Sequence, residues 1–385
     1  MIRIDVLTTT RAEYGLLRPL LAKLKKDDFF KVRLLVSGTH FSDSYGSTYK
    51  EILNDGNSLD YSFRILSGKE GVEGTIETMS CAIKKFGHYF ATDAPDFLLV
   101  DGDRYETLAI CLAAYSCRVP IIHVGGGDVT EGAMDDAYRH CITKLAYLHF
   151  PTNEVYAARI RQLGEASERI CNVGSLSIDN ILQTEFLSVD ELSESLGVQL
   201  KKPFAVATYH PVTLESQSSE SQIISLLEAC YEFNDMQFIF TGSNADDGGN
   251  RINEIILDFI ENKDNFYFVK SLGAKRYISA LHHCEFVIGN SSSGITEAPS
   301  LHIPTINIGD RQKGRIQALS TINCLPNKRA ICEAICKART IEFKKNCKLV
   351  VNPNGDGHAS EKITLFIKQY LNRNSVDLMK KFIDL

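Results

Sequence analysis

The sequence predicts an α/β protein built from two doubly wound, Rossmann-like domains, and three observations carry that prediction. Short apolar runs alternate with longer stretches of helical periodicity, the pattern of a parallel sheet covered on both faces by helices. The alternation pauses near residue 180 and restarts after "LKKPFAV", where Lys-Lys-Pro marks a boundary before a fresh strand. A chain of 385 residues, 44% of them hydrophobic, also suits about two domains, each with its own core.

Taken in order, the first half supplies the strands "IRIDVLTTT", "KVRLLVSG", "DFLLVDGD", "VPIIHVGG", "YLHFPT" and "RICNVG". The second half supplies "FAVATYH", "QFIFTGS", "NFYFVKS", "EFVIGNS" and "PTINIG". We therefore expect one domain over residues 1–180, a second over 181–365, and a helical segment over 366–385 that packs back on the first. In sheets of this kind a ligand sits outside the carboxyl ends of the strands, where the strand order reverses. Those ends hold Arg11, Ser37 to His40, Asp101, Asp103 and the loop "HVGGGDVTEGAMDDAYRH" in the first half. In the second half they hold His210, Gly242 to Asn244, Asn290 to Ser292, and Gly309 to Arg311. The expected active site is a cleft between the two sheets.

Composition narrows the partners. A net charge of −6 gives no basic excess to grip nucleic acid or an anionic membrane, and no window offers the ~18 unbroken apolar residues of a membrane span. A cytoplasmic protein is expected. The 11 cysteines are scattered singly through apolar stretches, which fits buried thiols better than a disulfide framework. Cys332 and Cys336 lie four apart, but no His or Cys set at zinc spacing accompanies them, so no metal is expected.

Several motifs carry chemistry. "IGNSSSGITEAP" places three serines and a glycine between a strand and a helix, so hydroxyls and backbone N–H groups converge where a phosphate could sit; capping alone would need one serine. Glu297, one turn on, suits a ribose diol, whose hydroxyls a carboxylate can accept. "IGDRQKGR" offers Arg311 and Arg315 as anion contacts; it lacks the Lys-Ser/Thr pair of a nucleoside-triphosphate loop. "TTTRAEYGLLRPLL" follows the first strand without a G-x-G-x-x-G, which removes the main support for a dinucleotide oxidoreductase. Arg11 is then an anion contact, and Arg18 belongs to a solvated helix face. His210 ends a strand just before Pro211, in place to act as a proton donor or as a cation near a leaving phosphate. His282, His283 and His302 lack such a placement and are expected to be structural.

In combination these motifs resemble the UDP-N-acetylglucosamine 2-epimerase family, in particular its hydrolysing branch, used in making sialic and legionaminic-type sugars. The resemblance runs through "TTTRAEYGLLRPLL", "VSGTHFSDSYGSTYKEI", "DGDRYE", "GGGDVTEGAMDDAYRHCITKLAYLHFPT", "HPVT" and "GNSSSGITEAPSLHIPTINIGDRQKGR". It implies a glycosyltransferase-B-type fold and a homodimer or homotetramer. The implied reaction is anti-elimination of the nucleotide with loss of the C2 proton, then hydration of the glycal with protonation on the other face. No cofactor is implied. Carried over, the catalytic positions are Asp103, Asp135 and His210, and the nucleotide contacts are Arg11, Ser291, Ser292, Glu297 and Arg315.

One departure stands out. Where family members often have a catalytic Glu, this chain has Gly125, with Asp128 and Glu131 close by in the sequence. Glu131 is expected to supply the missing carboxylate. The substituted loop leaves two sugars open, N-acetylglucosamine and a 2,4-diacetamido-trideoxyglucose. A non-hydrolysing epimerase, a glycosyltransferase and a non-catalytic nucleotide-sugar sensor are the alternatives.

Overall fold

Two six-stranded, wholly parallel sheets organise the chain, one in each of two units. The computed structural model describes residues 1–69, 71–130, 134–201, 203–211, 219–243 and 249–384. Met1–Val129, Met134–Asn180 and Gly355–Leu385 form the first unit, and Ile181–Asn354 together with Thr130 the second.

The first sheet comprises β1 (Ile2–Thr8), β2 (Phe30–Val36), β3 (Tyr61–Ser62), β4 (Phe97–Asp101), β5 (Ile121–Val124) and β6 (Leu148–Phe150), in the order β3-β2-β1-β4-β5-β6. The second comprises β7 (Phe204–Thr208), β8 (Gln237–Thr241), β9 (Phe266–Val269), β10 (Val287–Gly289), β11 (Thr305–Ile308) and β12 (Thr321–Cys324), in the order β12-β11-β10-β7-β8-β9. Each order reverses between its first and fourth strand, β1 beside β4 and β7 beside β10, which is where a doubly wound sheet opens a crevice.

The central strands read as continuous apolar runs because helices cover both of their faces: every residue of β4, β7 and β8 is buried. At about 1.5–3 kcal/mol per buried aliphatic or Phe side chain, such strands supply much of each unit's stability. Gly289 is required by this packing. At φ +134° any Cβ there would stand 1.9 Å from the Thr208 carbonyl of the neighbouring strand.

Three details differ from the sequence reading. "RICNVG" is not a strand; Ile170 makes one isolated bridge to His149 beside the three-residue β6, and a 3₁₀ turn at Ser167–Arg169 leads into it. Two short edge strands, β3 and β12, were not anticipated. Residues 355–365 count with the first unit, not the second, because the helix Ala359–Arg373 packs Ile363, Ile367 and Tyr370 into the core formed by Leu17, Leu20 and Leu24. That helix is capped within its own unit: both Asp179 carboxylate oxygens accept backbone N–H groups, from Ala359 at 2.9 Å and Ser360 at 2.7 Å.

All 11 cysteines are free thiols. Among the described residues no helix is long and apolar enough to cross a membrane, and no group of three or more His, Cys, Asp or Glu residues is arranged to hold a metal ion.

Candidate active site

In the first unit the chemistry gathers at the ends of β4 and β5. Arg139, on the helix Met134–Leu145, is almost fully buried and gathers acceptors around its guanidinium. Nη2 pairs with the Asp103 carboxylate, and Nη1 donates to Asp136 Oδ1 at 3.0 Å and to the Asp128 carbonyl at 3.0 Å. Burial works against the guanidinium's charge, but the carboxylates of Asp103, Asp128 and Asp136 more than reverse this and hold its pKa above the ordinary value. The i, i+3 spacing on the helix is what lets Asp136 and Arg139 meet. His140 Nε2 lies 3.6 Å from the second Asp136 oxygen.

The loop bearing Asp103 is itself pinned. His123 Nε2 lies 3.0 Å from the Gly102 carbonyl and Nδ1 lies 3.1 Å from Thr143 Oγ1. A carbonyl can only accept, so Nε2 carries the proton and Nδ1 accepts from the threonine. Burial pushes the imidazole pKa down to about 3, which keeps the ring neutral in this role.

The glycine run serves the protein as much as any ligand. A Cβ at Gly126 would meet Thr143 Oγ1 at 2.8 Å, and one at Gly127 would meet the Tyr156 carbonyl at 2.4 Å, so both lie against their own unit. Only at Gly125 is the space open, where a Cβ would have Asp101 Oδ1, at 3.7 Å, as its sole close neighbour among the described residues. Gly125 also has φ +80°, a conformation a glutamate would adopt only under strain.

Of the expected residues, Asp103 lies in this cluster. Asp135 is exposed at the start of the helix, and it is the next residue, Asp136, that ion-pairs with Arg139. Glu131 lies outside the described residues, as does Asn244. Asp128 turns Oδ1 onto the backbone N–H of Val129 at 2.7 Å. Arg11 heads the helix Arg11–Lys25, with Nε 2.9 Å from Glu51 Oε1. Arg18 is not on a fully solvated face; it pairs with Asp55 at 2.6 Å and stacks over Tyr14.

In the second unit the residues gather where β7 and β10 part. The Asn290 side chain bridges the two strands, accepting from the His210 N–H at 2.7 Å and donating to the His210 carbonyl at 2.8 Å. Burial, helped by the Arg311 charge, pushes His210 down to about 3, so its ring is neutral and suited to hydrogen bonding, not to acting as a standing cation. Ser291 and Ser292 are half-buried beside it, and Arg311 Nη1 donates to the Asn290 carbonyl at 3.1 Å. Glu297 ends a relay that sequence reasoning missed: the Tyr277 hydroxyl donates to Ser293 Oγ at 2.7 Å, which donates to Glu297 Oε2 at 2.6 Å. Burial raises the Glu297 pKa, and the Ser293 hydrogen bond opposes that rise. Arg315 is half-buried on the loop between β11 and β12. A cavity of about 610 Å³ opens beyond these two strands, lined by Gly309, Asp310, Lys313, Gln317 and Asn323; it adjoins the arginine loop and does not include the serines.

His282 stacks on Phe186 with ring centroids 4.2 Å apart, and His302 Nδ1 faces the Cys347 carbonyl at 3.2 Å, so both have structural partners.

A carboxylate–arginine cluster at one switch point and a serine–arginine–glutamate set at the other fit a sugar-nucleotide enzyme. The family model for UDP-N-acetylglucosamine 2-epimerase matches residues 22–368. The chain belongs to this family. Two relatives cover the whole chain at 35% identity. They are GDP/UDP-N,N'-diacetylbacillosamine 2-epimerase (hydrolyzing) of Campylobacter jejuni, over 99% of its own length, and polysialic acid biosynthesis protein P7 of Escherichia coli, over 98%. Among solved structures, UDP-GlcNAc 2-epimerase from Neisseria meningitidis bound to UDP-GlcNAc superposes with a TM-score of 0.83. It is 17% identical, and the match covers 96% of this chain and 100% of that one. The family's two-unit, glycosyltransferase-B-type architecture is the one described above.

Proposed function

We propose that the protein is a hydrolysing 2-epimerase that converts a UDP-N-acetylglucosamine-type nucleotide sugar into the free manno-configured sugar and nucleotide diphosphate. The observation that carries this reading is the buried Arg139 holding Asp103 and Asp136 at the reversal point of the first sheet. Removing a weakly acidic C2 proton needs a fixed carboxylate base, and a guanidinium that clamps two carboxylates fixes them. Asp103 is assigned to the proton at C2. Asp136 takes the place expected for Asp135, because it is the one tied to Arg139.

The second unit supplies the nucleotide contacts: Ser291, Ser292, Arg311 and Arg315 for the diphosphate, Glu297 for the ribose diol, and neutral His210 as a hydrogen-bond donor to the departing phosphate. Arg11 is assigned to the anionic side of the substrate as well. No cofactor takes part in this chemistry.

The Campylobacter relative's name, with its diacetylbacillosamine substrate, favours the 2,4-diacetamido-trideoxyglucose over N-acetylglucosamine and covers both GDP and UDP. The Escherichia relative's name favours a place in sialic-type sugar synthesis. We read the enzyme as a cytoplasmic homodimer or homotetramer.

Turnover in deuterium oxide tests the reaction. Free sugar carrying solvent deuterium at C2, formed together with nucleotide diphosphate, is expected. Free sugar that keeps its original C2 hydrogen would reject elimination, and an epimerised nucleotide sugar with no free diphosphate would reject hydrolysis.

A further inference from the structure

Asp101 is the last residue of β4 and is 9% exposed. No hydrogen-bond donor among the described residues reaches its carboxyl. Its neighbours are differently placed. Asp103 and Asp136 are held by Arg139, while Glu13 accepts from the Thr9 N–H at 2.6 Å, from the Thr9 hydroxyl and from the Thr10 N–H. A buried carboxylate without a donor keeps its charge at high cost and takes a proton instead. Burial, together with the charges of Glu13 from the first helix and Asp103 from its own loop, raises the Asp101 pKa to about 8. On the β5 side stand the open backbone of Gly125 and the neutral His123. Arg104 pairs with Glu106 at 3.1 Å, and Arg139 is taken up by Asp103 and Asp136.

We propose that Asp101 is the catalytic acid of this site, carrying beneath the bare backbone of Gly125 the proton that the glycal receives at C2. The proposal rests on the hydrolysing reading above. In the elimination, Asp103 takes the C2 proton, the C–H electron pair becomes the C1–C2 double bond, and the C1–O bond to the diphosphate breaks. In the hydration, the Asp101 O–H proton goes to C2 while a water oxygen bonds to C1. The surplus water proton returns to Asp101, and Asp103 releases its own to solvent. Two neighbouring carboxyls in unlike environments, one paired with a cation and one buried without a donor, thereby divide base and acid between them. With Asp101 in this role, the reaction needs no carboxylate at position 125.

Wild type, Asp101→Asn and Asp103→Asn are each given the diacetamido and N-acetylglucosamine nucleotide sugars, and diphosphate, glycal and free sugar are followed by NMR. Asp101→Asn should release diphosphate and accumulate the glycal, with free sugar formed roughly 10²–10⁴-fold more slowly, the usual loss for a general acid. Asp103→Asn should release neither. Free sugar from Asp101→Asn at the wild-type rate overturns the proposal, and so does loss of diphosphate release together with free sugar in a variant that still melts and binds UDP as the wild type does. A wild type that releases no diphosphate overturns the hydrolysing reading itself and the acid with it. A second measurement needs no variant. Wild type supplied with glycal and UDP should hydrate the glycal at a rate that falls about tenfold per pH unit above about 8. A flat profile to pH 10 overturns the assignment.

Discussion

Arg139 is a cation with its work divided between two acids, and Asp136 is the one a linear reading passes over. Asp136→Asn should lower turnover with nucleotide affinity kept, because it loosens the Arg139 that fixes Asp103; steady-state rates with UDP titrations check this. The motif itself was legible, since Asp-Asp-x-x-Arg-His stands in the sequence and Asp103 lies where its strand end placed it. Which aspartate faces inward was not, because adjacent helix residues point about 100° apart and only the i, i+3 relation to Arg139 decides. Asp101 was placed at its strand end but given no role, for another reason. Its meaning lies in missing donors and in the open face of Gly125, and neither has a sequence signature.

The elements were legible where burial is two-sided. β4, β7 and β8 declare themselves as unbroken apolar runs. The two-residue β3 and the partly exposed "TINC" of β12 have too little apolar length to be told from loop. "RICNVG" shows the opposite failure, apolar enough for a strand but paired at one bridge only. The helix Ala359–Arg373 depends on a residue from far earlier in the chain, because Asp179 satisfies its first two N–H groups. Asp179→Ala should cost about 1–2 kcal/mol, the range for losing such a cap, read as a lower urea midpoint at unchanged slope. An unchanged midpoint would mean that water caps the helix equally well.

Buried titratable groups set how the whole molecule responds to pH. Asp101 and Glu13 are raised by burial to about 8 and about 7, from 3.8 and 4.5, so the folded chain binds more protons than the unfolded one across that range. Their contribution is complete below the unfolded values and is lost as pH climbs through 7 and 8. His123 and His210, lowered by burial to about 3, and His40, lowered to about 4, act oppositely: their contribution is complete above 6.5 and is lost as pH falls. The melting temperature should therefore peak between about pH 6 and 7 and decline on both sides, and Asp101→Asn should flatten the alkaline decline. Calorimetry at pH 5, 6.5 and 9 checks this, and a melting temperature still rising at pH 9 would contradict it. The path of the chain has its own consequence. The core of the second unit lies wholly in the stretch 181–354 and is complete once that stretch has left the ribosome. The first unit must wait. Its sheet is synthesised early, but Ile363, Ile367 and Tyr370 arrive only after the insertion has been made, so the apolar surface beneath them stays uncovered through roughly half of translation, and it is there that a chaperone would find the nascent chain.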